Sequence, residues 1–312
     1  MKCNPCLVMA LMMFPFFSAR AAPARGSDDL SFYREQSPTT SPGKHADLYR
    51  DLPRDPGELV KVVQGLIVHG ALGWLYKYQP TERQFAGFTE ARSAEAILDN
   101  VLRLDSSPLT VARPIEKRAV GNCRTFSVLM VSMLRRQGVP ARMRVGYATY
   151  TWGEPKLENH FIVEYFNGQR WVLLDAQMDQ AQREFHKLDF DTLDMPRSKF
   201  VFAGQAWQGL ENGTIKPEQI GMGGPNGWES RGYQFVQIDL IADCWALDKV
   251  ELFTGEANDL GKTPHERLSG EQLKLFGELA HYSSAPDADM AALRSKMESE
   301  PTARVDPAAW KP

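Results

Sequence analysis

An Asn-Gly pair between two strand-like runs constrains this chain more than any other feature. The pair, Asn167-Gly168, separates residues 160–166 from residues 169–175, and both runs are rich in β-branched and aromatic residues. Asn-Gly at such a position is typical of a two-residue β-hairpin turn. With the pair at the centre of that turn, the register of the hairpin places His160 directly opposite Asp175.

In this register His160 and Asp175 share one face of the sheet. Directly opposed side chains of an antiparallel pair have Cβ atoms about 4.5–5.5 Å apart, so the imidazole and the carboxylate are expected to form a hydrogen bond. The carboxylate would hold one tautomer of the ring and stabilise the imidazolium. Taken alone, a His–Asp pair of this kind is as compatible with support of the sheet as with catalysis.

A cysteine stands at the start of a predicted helix upstream of the hairpin. Helical periodicity runs from Cys123 to Gln137 and ends at Gly138, with Pro140 beyond it. Free backbone N–H groups and the positive end of the helix dipole favour a thiolate in the first turn. Taken alone, such a cysteine is more often buried and inert. One stripe of the helix is apolar, which predicts a buried face: Phe126, Leu129, Met130, Met133 and Leu134.

The order of these three residues along the chain favours a catalytic interpretation. A helix followed by an antiparallel sheet lies across the face of that sheet, and this packing would bring Cys123 towards His160. Cys123, His160 and Asp175 then supply a nucleophile, a base and an orienting carboxylate.

Four segments around these residues resemble the core of the transglutaminase-like superfamily. They are Asn122-Cys123-Arg124, residues 138–142, residues 159–162 and residues 171–175. In that family the matching Cys, His and Asp form the catalytic triad of a papain-like fold, so the resemblance implies that Cys123, His160 and Asp175 are catalytic. It also implies an α+β fold in which the nucleophile helix packs on an antiparallel sheet, with added helices at both ends.

The resemblance implies a chemistry rather than one substrate, because the family includes protein cross-linkers, proteases, amidases, deglycosylating enzymes and inactive members. We expect thiol-dependent acyl chemistry on a peptide or protein amide through a cysteine thioester, as a transferase or as a peptidase or amidase, without a cofactor. The alternatives are a small-molecule acyltransferase or amide synthase and a non-catalytic scaffold. An intact triad argues against the scaffold, and a long open groove would favour peptides over a small acyl donor.

Three further residues are weaker candidates for substrate binding. Trp152 lies in the loop before His160, where it would form a wall of the acceptor site or only pack. Gln205 and Trp207 lie in a segment, residues 200–210, that is a candidate for the pocket lining. No zinc-site pattern such as His-Glu-x-x-His occurs, so no metal site is predicted.

The first 21 residues predict a secretory signal peptide. A short apolar stretch follows Lys2, and Ala19-Arg20-Ala21 resembles a cleavage site. We therefore expect a secreted or periplasmic protein without an integral membrane segment after removal of the signal, or a cytoplasmic one if the segment is not a signal. The net charge of −3 gives no support for binding to nucleic acid. Cys244 is expected in the core, with no disulfide to Cys123.

The remaining organisation follows from composition and capping signals. We predict a disordered segment at 22–54, a catalytic domain at 55–285 with its core at 115–180 and an extension at 181–285, and a helical C-terminal tail at 286–312. Asp55 is expected to cap a helix that ends near His69, and Ser93 a helix that ends near Leu104. Residues 233–240 read as a strand and residues 241–250 as a helix.

Overall fold

The structure, a computed structural model, describes residues 27–151, 156–223, 230–253, 256, 258–284 and 288–304. The predicted signal peptide lies outside these residues. The helices are α1 Ser27–Phe32, α2 Pro56–Leu66, α3 Glu82–Phe85, α4 Ala94–Leu104, α5 Cys123–Arg136, α6 Gln180–Phe185, α7 Ala203–Glu211, α8 Gly232–Leu247, α9 Asp259–Lys262, α10 Gly270–Ser284 and α11 Met290–Ser299. The strands are β1 Ile67–His69, β2 Ala119–Gly121, β3 Ala141–Ala148, β4 Leu157–Phe166, β5 Trp171–Leu174, β6 Phe200–Phe202, β7 Ile220–Met222 and β8 Ser230–Arg231.

The main sheet is built around the long antiparallel pair β3–β4. Its strand order is β6-β3-β4-β7-β8, and β5 also pairs with β4. On the edge of β4 away from β3, β5 pairs with residues 163–166 and β7 pairs with residues 157 and 158. Residues 159–162 therefore have no strand partner on that edge within the described residues, and His160 lies in this gap.

Helix α5 packs on the main sheet, as predicted. Its apolar stripe, including Phe126, Leu129 and Met133, forms one hydrophobic core with Val145 of β3 and Phe161 of β4. The expected α+β fold, with the nucleophile helix on a largely antiparallel sheet, is thereby confirmed. A second core surrounds Trp207 and joins α7, α8 and α10.

A two-stranded parallel sheet leads the chain into α5. Strand β1 pairs with β2, and His69 faces Gly121, two residues before Cys123. The helix predicted to run to His69 instead ends at Leu66, because the β-branched Ile67 and Val68 extend into this sheet. The β1–β2 pairing therefore positions the start of α5.

The prediction of disorder at 22–54 is wrong for residues 27–54, which pack against the folded core. Tyr33 is fully buried, and its hydroxyl donates to the Leu247 carbonyl at 2.6 Å. The Ser37 hydroxyl donates to the buried Glu251 carboxylate at 2.7 Å. Composition predicted disorder because this segment has few apolar residues, but one tyrosine anchor and several buried hydroxyl contacts are enough to order it.

The predicted strand at residues 233–240 is also wrong, since residues 232–247 form the single helix α8. Nearly every side of this helix is buried, including Asp239 and Asp243. A helix buried on all sides lacks the amphipathic period of 3.6 residues that sequence analysis relies on. Its β-branched and aromatic residues then resemble a buried strand.

Buried ion pairs connect β3 and β4 to α8. Arg144 Nε and Nη2 donate to the two carboxylate oxygens of Asp243 at 3.0 and 2.8 Å, and Nη1 lies 3.3 Å from Glu164 Oε2. Arg142 Nε donates to the same Glu164 oxygen at 2.7 Å. Every charge in this group has an opposite partner, which compensates for the loss of hydration on burial.

We predict that Arg144→Met destabilises the protein by about 3–5 kcal/mol, because it leaves Asp243 without its main partner inside the core. Urea unfolding followed by circular dichroism measures the change. Arg170→Met is the control, since it removes an exposed ion pair with Asp194 and should leave the unfolding midpoint unchanged. An Arg144→Met midpoint equal to that of the control would contradict this role for the buried network.

Candidate active site

Cys123 is the first residue of α5 and is partly exposed. The preceding residue, Asn122, caps the helix: its side chain accepts from the Thr125 backbone N–H at 3.2 Å. The first turn of a helix carries N–H groups without intrahelical acceptors. The sulfur therefore lies at the end of the helix where negative charge is stabilised.

His160 and Asp175 form a buried hydrogen bond. The distance between His160 Nε2 and Asp175 Oδ2 is 2.8 Å, and the two side chains are 5% and 1% exposed. The same carboxylate accepts from the Tyr150 hydroxyl at 2.7 Å and from the Gln177 backbone N–H at 2.9 Å. Three donors thus hold Asp175 in one orientation.

This contact arises from a hairpin register different from the predicted one. Phe166 pairs with Trp171 rather than with Gln169, and the turn is centred on Gly168 and Gln169. Gly168 has φ of +99°, and a glycine with positive φ at the first central position is typical of a type II′ turn.

His160 and Asp175, which were predicted to be neighbours, nevertheless lie on the same face of the sheet. Moving the turn centre by one residue shifts the strand pairing by two, and side chains alternate faces with a period of two. His160 and Asp175 therefore remain on the same side of the sheet. Asp175 follows the last residue of β5 and reaches His160 diagonally, beside the gap in the edge of β4.

The electrostatics of the site favour a charged imidazole. Burial lowers the pKa of His160, but the charge and hydrogen bond of Asp175 and a hydrogen bond with Cys123 outweigh it and raise that pKa to about 10. Burial raises the pKa of Asp175, yet the charge of His160 and hydrogen bonds from His160, Tyr150 and Gln177 leave it below its usual range. Because Nε2 of His160 is engaged with Asp175, Nδ1 is the ring nitrogen left for the Cys123 sulfur.

Two other side chains near this pair stay uncharged. Burial and the charge of His160 lower the pKa of His69 to about 4, so this second imidazole is neutral at pH 7. Burial and the charge of Asp175 raise the pKa of Tyr150 well above its usual value, so its hydroxyl remains a hydrogen-bond donor. Of the two histidines, His160 is thus the one that carries positive charge.

The structure brings together Cys123, His160 and Asp175 but not the weaker candidates. Trp152 lies outside the described residues. Gln205 is exposed, and its side-chain oxygen accepts from the Phe202 backbone N–H at 3.2 Å within its own helix start. Trp207 is buried in the second core, where its ring stacks on Phe276 with centroids 4.8 Å apart.

Sequence analysis missed two residues of the site, Tyr150 and Glu158. Tyr150 follows β3, and its hydroxyl donates to Asp175, a contact between distant parts of the chain that no local pattern indicates. Glu158 lies two residues before His160 on β4, so strand alternation alone would have placed it on the same face.

No metal site and no membrane helix are found in the described part of the chain. The His, Cys, Asp and Glu side chains there form no group of three or more that could hold a metal ion. None of the helices there combines the length and apolar character needed to cross a bilayer.

A cysteine at a helix start beside a His–Asp pair is the arrangement that a cysteine nucleophile requires. Residues 91–176 match the model of the transglutaminase-like superfamily, and all three residues lie within this range. The chain therefore carries a transglutaminase-like domain, which supports a thiol-dependent enzymatic function in general terms.

Comparisons with curated proteins and with solved structures do not define the function further. No curated protein matches the chain significantly. Among solved structures, the chain is similar to a provisionally assigned cysteine protease from Cytophaga hutchinsonii, with 16% sequence identity and a TM-score of 0.34. That similarity covers 59% of this chain and 50% of the other.

We predict a stability difference between the wild type and His160→Gln that depends on pH. The pKa of His160 is raised on folding, so its contribution is fully present below about pH 6.5 and is lost as pH rises towards 10. In that window the wild type should lose stability faster than the variant, by up to about 1.4 kcal/mol per pH unit. Urea unfolding at a series of pH values measures both slopes, and equal slopes would show that the imidazole does not gain a proton on folding.

Proposed function

We propose that this protein uses Cys123 as the nucleophile of thiol-dependent acyl chemistry on amide bonds, with a thioester intermediate. The observation that carries the proposal is the buried 2.8 Å hydrogen bond between His160 and Asp175 beside the cysteine at the start of α5. The transglutaminase-like domain over residues 91–176 supports the same chemistry.

In the resting site the Cys123 thiol has already given its proton to His160, and in the first half of the reaction the thiolate attacks the amide carbonyl. Asp175 orients the imidazole and stabilises its positive charge. The tetrahedral intermediate then collapses, the C–N bond breaks, and His160 gives its proton to the leaving amine. The acyl group remains on the sulfur as a thioester.

In the second half, water or an amine attacks the thioester and the sulfur leaves as a thiolate. The backbone N–H of Cys123 lies in the first turn of α5, where it supplies one donor to the oxyanion. A donor of this kind contributes about 3–4 kcal/mol to the stability of a transition state. Water and amine acceptors give hydrolase and transferase activity on the same machinery.

An exposed aromatic pair favours a peptide substrate over a small acyl donor. Trp74 and Phe185 are 48% and 45% exposed, and their rings meet edge to face with centroids 5.2 Å apart. Phe185 contacts His186, whose pKa is lowered by burial and by the charge of His160. These exposed apolar rings would suit an extended peptide chain better than a small acyl donor. A peptide or protein substrate also fits the secreted or periplasmic location that we propose from the predicted signal peptide.

We predict that iodoacetamide labels Cys123 faster than free cysteine at neutral pH and leaves Cys244 unmodified. Cys244 is buried, and burial raises its pKa. His160→Ala should slow labelling of Cys123 by about tenfold or more, because it removes the imidazolium that stabilises the thiolate. Peptide mass spectrometry over a time course measures both rates.

The matched control is His281→Ala, which removes an exposed histidine of α10 and should not change the labelling rate. The proposed function fails if Cys123 in the wild type reacts no faster than free cysteine. It also fails if the two histidine variants are labelled at the same rate.

A further inference from the structure

Glu158 is a buried carboxyl group that the proposed reaction leaves unused. It lies on β4, two residues before His160, so the two side chains point to the same face of the sheet. Glu158 is 8% exposed, and its Oε2 has no hydrogen-bond partner among the described residues. It also forms no salt bridge with a lysine or arginine in the part of the chain that the structure describes.

The surroundings of Glu158 place it at the site rather than in a structural network. Tyr150 contacts the His160 ring edge to face, with centroids 6.2 Å apart, and the next residue, Thr151, contacts Glu158. Burial raises the pKa of Glu158 to about 7, although the charge of His160 and the contact with Thr151 oppose this rise. The other buried glutamate of β4, Glu164, is by contrast held by three arginines.

A buried carboxylate with a free oxygen is costly unless a cation or donor satisfies it. His160 exchanges protons with the amine that leaves or enters, so that amine must approach on the His160 side of the thioester. A protonated amine placed there would supply the charge and the N–H donors that Glu158 lacks.

We propose that Glu158 binds the protonated amine that resolves the thioester, and so selects cationic amines over water. This inference rests on the proposed function. Glu158 binds the ammonium group and takes no part in proton transfer.

The step balances with the groups present. The bound ammonium gives one proton to neutral His160, which has lost its own proton to the leaving amine. The neutral amine then attacks the thioester carbonyl carbon, the C–N bond forms, and the C–S bond breaks with its electron pair on the Cys123 sulfur. The nitrogen loses its second proton to water, and the thiolate and imidazolium are restored.

The test compares two small nucleophiles on one acyl-enzyme. Acetyl-Cys123 is formed from p-nitrophenyl acetate and partitioned between water and either methylamine, a cation at neutral pH, or hydroxylamine, which is neutral. In Glu158→Gln we expect transfer to methylamine to fall about tenfold or more, because a charge-assisted hydrogen bond is lost. Transfer to hydroxylamine and to water should change by less than about threefold, and Glu158→Asp should retain part of the preference.

The matched control is Glu184→Gln, which removes an exposed carboxylate of α6 and should leave both ratios unchanged. An unchanged ratio of methylamine to hydroxylamine transfer in Glu158→Gln would overturn the proposal.

A binding measurement separates this proposal from the proposed function. Cys123→Ala forms no thioester, and we expect methylammonium to shift the backbone amide signals of Glu158 and Thr151 saturably in its NMR spectrum. The shifts should be absent in Cys123→Ala/Glu158→Gln, and their absence from Cys123→Ala itself would overturn the role of Glu158. If the wild type forms no acetyl-enzyme, the proposed function fails while the NMR titration still decides whether Glu158 binds the ammonium.

Discussion

The buried hydrogen bond between His160 and Asp175 is the interaction on which the candidate site depends. Burial alone would drive the imidazole and the carboxylate to their neutral forms. Asp175 stays ionised because His160, Tyr150 and the Gln177 backbone all donate to it. That charge in turn keeps a proton on His160 beside the Cys123 sulfur. The charges of His160 and Asp175 therefore depend on each other, since each would be lost on burial without the other.

The fold supplies the geometry that this set of charges needs. The β1–β2 pairing and the Asn122 cap place Cys123 at the start of α5. The divided edge of β4, paired with β5 at one end and with β7 at the other, leaves His160 in a gap. The core beneath α5 holds this helix on the sheet, and the buried arginine–carboxylate network holds α8 against β3 and β4.

Sequence analysis predicted the parts of the site that depend on local pattern. An amphipathic helix that ends at Gly138 located Cys123, and two β-rich runs located His160 and Asp175. The predicted hairpin register was wrong because Asn-Gly allows the turn centre to move by one residue. The strand pairing then shifts by two residues, which leaves His160 and Asp175 on the same face of the sheet. Residues whose roles depend on distant packing were not predictable: Tyr33 orders the N-terminal segment through α8, and α8 itself has no apolar stripe. The hydrogen bond from Tyr150 to Asp175 joins residues 25 apart in the chain and has no local signal.

The most direct test of the central claim is the protonation state of His160. Two-dimensional ¹⁵N NMR of the histidine rings reports whether one or both ring nitrogens carry a proton. With Asp175 in place, we expect His160 to remain an imidazolium from neutral pH to near pH 10, and to lose that charge at neutral pH in Asp175→Asn. A wild-type ring that titrates near pH 6.5, as a free histidine does, would contradict the account.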